Sequence, residues 1–143
     1  MLNIPNAILI PEMARLIESG HQVEFTPKGT SMRPFIEGGS DSVVLSRANE
    51  VRVGDILLCS VGDKYVLHRL IAVDGDQLTL MGDGNLSGKE YCRKADVIGR
   101  VIAIRTRSGR RKPLTRGWLW RQMLPYRSLL LKGYRKLFLI LNF

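Results

Sequence analysis

Between residues 22 and 104 the chain is cut into short apolar runs by Gly, Asp, Pro and Asn, and this cadence constrains the fold more than any other feature. The runs "QVEFT", "SVVLS", "DILLCSVG", "KYVLHRLIAVD", "QLTLMG" and "VIGRVIAIRT" are strand-sized, rich in Val, Ile, Leu and Thr, and mostly bounded by turn residues. "VDGDQ" has a hairpin signature, which predicts that Val66 to Val73 pairs with Leu78 to Met81. An antiparallel β-domain follows. One stretch reads as a helix: "PEMARLIESG", with Pro11 at its first turn, Met13, Leu16 and Ile17 on one face, and Gly20 as its stop.

Charge divides the chain a second way. Residues 1–104 hold 11 Lys and Arg against all 13 Asp and Glu, a net −2, whereas residues 105–143 hold the other 11 basic residues and no acidic one, a net +11. The expected organisation is an N-terminal helical segment (1–21), a β-domain (22–104), a basic loop (105–115) and a basic amphipathic helical tail (116–143). A chain of 143 residues supports one such unit rather than two independent domains. Cys59 and Cys92 are too few and too far apart for a disulfide framework, and they lack the spacing of a zinc site. The first 20 residues carry Pro5, Pro11 and an early Glu12 and lack the basic-then-apolar order of a signal peptide. A reduced, cytoplasmic setting is the expectation.

The chemistry-bearing residues are sparse. Ser31 stands in the glycine-rich turn "KGTSMRPFIEGG", and one of only two histidines, His68, lies in "YVLHRLIAVD". A serine hydroxyl attacks poorly unless a neighbour takes its proton. His68 is the candidate base and Asp83, in "MGDGN", the candidate orienting acid of a serine-hydrolase arrangement. Alternation places His68 with Val66, Leu70 and Ala72 on one strand face, where a partly desolvated base would sit. Each residue also has an ordinary structural role: Ser31 and Asp83 as turn formers, His68 as a hydrogen-bonded core residue. Lys64, a rival base, reads as a solvated strand start, His21 as a surface residue, and Gly54 and Asp55 as a turn and its cap.

Taken in order, "GTSMRP", "VRVGDILL", "YVLHRLIAV" and "MGDGN" resemble the catalytic boxes of type I signal peptidases and of the related self-cleaving repressor peptidases, over about residues 22–104. The resemblance implies their single antiparallel coiled β-domain and a serine endopeptidase activity without cofactor or metal. It also implies a Ser31–His68 dyad of the endoplasmic-reticulum and archaeal type, with Asp83 as the implied partner of the histidine. Met32 would line the substrate cleft. The Ser31 N–H would serve the oxyanion, beside Thr30 and with Gly29 where relatives often carry a hydroxyl. Substrate would lie extended beside a strand such as Gln22 to Thr26, with small residues next to the cut. The segment before the sheet is too short for a DNA-binding domain, and no Ala-Gly or Cys-Gly self-cleavage site occurs, so cleavage of another polypeptide in trans is expected.

The tail combines Trp118, Trp120, Tyr126, Tyr134, Phe138 and Phe143 with six basic residues from Arg116 onward, and its longest uncharged run is Leu137 to Phe143. That is too short to span a bilayer but suits a helix lying in the interface of an anionic membrane. A structural alternative has Leu119, Met123, Leu130 and Leu137 covering the β-domain. Nucleic acid ranks behind the membrane because the aliphatic content is high for a phosphate-binding arm. The competing function is a catalytically inactive β-domain that acts as a membrane-surface or nucleic-acid adaptor through this tail.

Overall fold

The computed structural model describes residues 6–85, 88–118, 120 and 126–141. Helix α1 (Asn6–Glu18) precedes β1 (Val23–Phe25), β2 (Ser42–Ser46), β3 (Ile56–Val61), β4 (Lys64–Asp74), β5 (Gln77–Met81) and β6 (Glu90–Arg93). A 3-10 turn (Lys94–Asp96), β7 (Val97–Arg105), β8 (Arg111–Lys112) and helix α2 (Arg127–Leu141) follow. All pairings are antiparallel, in the order β1-β2-β7-β3-β4-β5-β6, with β8 on β7. The domain is mainly β, as the spacing of apolar runs predicts. The hairpin at Asp74–Gln77 is present, with Val73 opposite Leu78 and Arg69 opposite Met81.

The sheet carries apolar residues on both faces, so alternate residues of β3 enter different cores. Leu58 joins Ile10, Met13, Ile17, Phe25, Met32, Ile36, Val43, Leu45, Val101 and Ile104. Leu57 and Cys59 join Val66, Leu70, Leu78, Leu80 and Cys92. Burial of this sidedness fixes strand register, because a slip of one residue would exchange the two faces. The Cys59 and Cys92 thiols are both free and buried, and burial raises the pKa of each, which leaves them poor nucleophiles.

Three details depart from the sequence reading. Helix α1 begins at Asn6, so Pro11 lies inside it rather than at its start. The buried stripe is Ile10–Met13–Ile17, while Leu16 is 47% exposed; the i, i+3, i+7 stripe adds a contact N-terminal to the proline, and this favours the longer helix. The basic loop also contains a short strand, β8, which pairs Arg111 with Arg105 across a turn closed by Thr106 and Arg110.

Among the described residues, helix α2 meets the domain through Tyr134 and Phe138. The Tyr134 hydroxyl donates to Glu37 Oε2 at 3.3 Å, its ring stacks on Phe138, and the Arg33 guanidinium lies over both rings at 6.0 and 5.7 Å. Arg33 is itself held by two bonds to Glu37. Leu130 and Leu137, placed against the domain in the structural alternative for the tail, are exposed instead. Leu119 and Met123 lie outside the described residues.

Candidate active site

The turn after β1 brings Ser31 to the rim of a cavity of about 150 Å³. Gly29, Ser31 and Met32 contribute from the turn, Ile10 from α1, Phe25 from β1, and Tyr65, Val66, Leu67 and His68 from β4. Ser31 and His68, 37 positions apart in sequence, thus line one cavity, as does Lys28. Gly29 adopts a positive φ of 89°, a conformation that favours glycine. Met32 is buried and Arg33–Pro34 is cis. Thr30 lies on the other side of the turn, in a groove with Arg33, Gly84, Lys132 and Arg135. Lys64 and His21 are exposed, and Lys64 does not line the cavity.

His68 is 7% exposed, and its Nδ1 forms a 2.8 Å hydrogen bond with Glu90 Oε2. With Glu90 as a carboxylate acceptor, Nδ1 supplies the hydrogen of this bond and Nε2 is the ring nitrogen left for another partner. The acid that orients the ring is therefore Glu90 on β6, where the sequence reading has Asp83. The register gives the reason. Leu70 is opposite Leu80 and Leu80 opposite Glu90, so Glu90 shares the sheet face of Leu70 and hence of His68. Met81 is opposite Arg69, and Asp83, two residues on, follows Met81 to the other face. There it receives Arg69 Nε and Nη2 at 2.7–3.1 Å, in a pair that is almost wholly buried.

The Gly82–Asn85 turn has a different relation to the serine: it packs directly against it. A Cβ placed on Gly82 would lie 2.4 Å from the Ser31 carbonyl oxygen and 3.1 Å from Ser31 Cβ, and one on Gly84 would lie 2.5 Å from the Thr30 carbonyl oxygen. Neither position has room for a side chain. The Gly84 N–H donates to the Ser31 carbonyl at 2.8 Å, and the Asp83 N–H points to Met32 Sδ at 3.5 Å. Gly54 and Asp55 form the turn expected of them, with Asp55 accepting the Arg52 N–H at 2.8 Å.

Among the described residues, the cavity is bordered by stretches of two strands that each pair on one side. β1 ends the sheet order, and β4 pairs with β5 only from Arg69 onward, which leaves Tyr65 to His68 bonded on the β3 side alone.

The mainly β, antiparallel sheet with its short N-terminal helix is consistent with a peptidase-type fold. Residues 8–102, more than half of the chain, match the Peptidase S24-like family, and the chain belongs to that family. This agrees with the repressor-type peptidase superfamily that the motifs resemble. No curated protein matches the chain. Among the described residues, no helix is long and apolar enough to cross a membrane.

Proposed function

We propose that this protein is a serine endopeptidase of Ser-His type that cleaves a polypeptide in trans. His68 Nε2 takes the proton of Ser31 Oγ, which attacks the scissile carbonyl; the imidazolium protonates the leaving amine, and His68 then activates water to release the acyl group. Glu90 holds the ring and stabilises the imidazolium. The Ser31 N–H is the oxyanion donor on this reading. The observation that carries the proposal is a buried His68 in the cleft that Ser31 lines, with Nδ1 committed to a carboxylate. The cavity, about 150 Å³, is smaller than the roughly 300–1,000 Å³ typical of drug-sized ligands and suits small side chains beside the cut. A fluorophosphonate probe followed by peptide mapping tests this reading: the adduct is expected on Ser31. No adduct, or one elsewhere, favours the inactive adaptor.

We further propose that α2 rests on an anionic membrane surface. Leu129 is 71%, Leu137 55% and Leu139 50% exposed, with Trp118 and Leu130 also exposed, and Lys132 and Lys136 border them. Basic residues near such a surface are worth about 1 kcal/mol each and are screened by salt, whereas the apolar contribution is not. The chain should co-sediment with anionic vesicles, less so in high salt, and Leu129→Glu with Leu137→Glu should abolish the salt-resistant part. Failure to co-sediment at low salt removes the membrane reading; binding to DNA or RNA in its place would support the nucleic-acid partner.

A further inference from the structure

Thr115, Gly117 and Trp120 lie beyond the matched residues 8–102, yet they close around the turn that packs on Ser31. Trp120 Nε1–H donates to the Asp83 carbonyl at 2.7 Å, and its ring meets Phe35 edge-on at 6.1 Å. Arg69, which holds the Asp83 carboxylate, donates through Nη1 to the carbonyls of Thr115 at 2.6 Å and Gly54 at 2.8 Å and covers Phe35 at 5.1 Å. Gly117 adopts a φ of 69°, and a Cβ there would come within 2.7 Å of Arg69 Nε. Asp83 is thus gripped at its side chain by Arg69 and at its carbonyl by Trp120. The next residue, Gly84, donates to Ser31.

We propose that Thr115, Gly117 and Trp120 form a positioning strap for the nucleophile turn, with Trp120 as its principal positioning residue. The strap acts through two hydrogen bonds in series: Trp120 to the Asp83 carbonyl, then the Gly84 N–H to the Ser31 carbonyl. Its catalytic meaning rests on the peptidase reading, but the mechanical link does not. Trp120 does not line the Ser31–His68 cavity; it limits how far the Ser31 turn can drift from His68. Reaction rates are sensitive to such placement, and a displacement of about 1 Å can cost roughly 100-fold.

Trp120→Phe keeps an aromatic ring at this position and removes the Nε1–H donor together with the five-membered part of the indole. In the full-length protein, it should slow fluorophosphonate acylation of Ser31 by roughly tenfold, with an unchanged peptide KM and a reduced kcat. By hydrogen exchange, the Gly84 amide should lose protection while amides in the centre of β3 keep theirs. Gly117→Ala, which displaces Arg69, should do the same. If both variants acylate at the wild-type rate, or if Gly84 exchange is unchanged, the strap is only a cover and the inference fails. If wild type takes no label at Ser31, the peptidase reading fails, and Gly84 exchange alone then decides whether the strap holds the turn.

Discussion

Replacing His68 with alanine should slow acylation of Ser31 by roughly 10²–10⁴-fold, the usual contribution of a positioned general base. The motive is geometric, since His68 is the buried imidazole in the Ser31 cleft and its Nδ1 is already engaged. Glu90→Gln should cost less, roughly tenfold or more, because the ring stays in place while the carboxylate that stabilises the imidazolium is lost. Glu90 is partly solvent-accessible, so its replacement should leave the melting temperature nearly unchanged. Stopped labelling time courses on wild type, His68→Ala, Glu90→Gln and Lys64→Ala separate the candidates. A His68→Ala protein that acylates at the wild-type rate removes His68 from the mechanism, and a slow Lys64→Ala protein would point to the lysine instead.

Most of the sheet is legible from the sequence because its strands announce themselves locally. β2 to β5 and β7 are apolar runs ended by turn residues, and the "VDGDQ" hairpin fixes one register. β6 is different. "EYCR" is only four residues long with no polar–apolar alternation, follows the polar stretch "NLSGK", and pairs with β5, so periodicity gives it little weight. Missing that strand hides Glu90, and the acid role then falls on Asp83, the nearest carboxylate in the motif order. Plain strand parity does not supply the correction: an unbroken register from the Asp74–Gln77 hairpin would set His68 opposite Asp83, and it is the register shift between Leu70 and Ala72 that pairs Arg69 with Met81 and turns Asp83 to the other face. Motif order says which residues are near in the chain's path, but only register says which side of the sheet they occupy. The docking of α2 was beyond sequence reasoning for a related reason, since its contacts run through Tyr134 and Phe138 to Arg33 and Glu37 and not through the leucines whose spacing is most regular.

Asp83→Ala should destabilise the fold far more than it disturbs the proton transfer. Arg69 is fully buried, and the carboxylate is the only anion that the described structure gives it; the Gly54 and Thr115 carbonyls solvate the guanidinium but do not neutralise it. Removing one member of a buried pair typically costs about 3–5 kcal/mol because the other charge is left uncompensated. For a chain of this size that corresponds to a fall in melting temperature on the order of 10–20 °C. Replacing both partners with apolar residues, as in Arg69→Met with Asp83→Leu, should recover much of the loss, since neither charge then remains buried. The same double variant leaves the His68–Glu90 bond untouched, so the folded fraction should still acylate through an oriented base, slowed only by whatever the altered Asp83 turn does to Ser31. An Asp83→Ala protein that melts like wild type but has lost acylation would reverse this assignment and return Asp83 to the role of orienting acid.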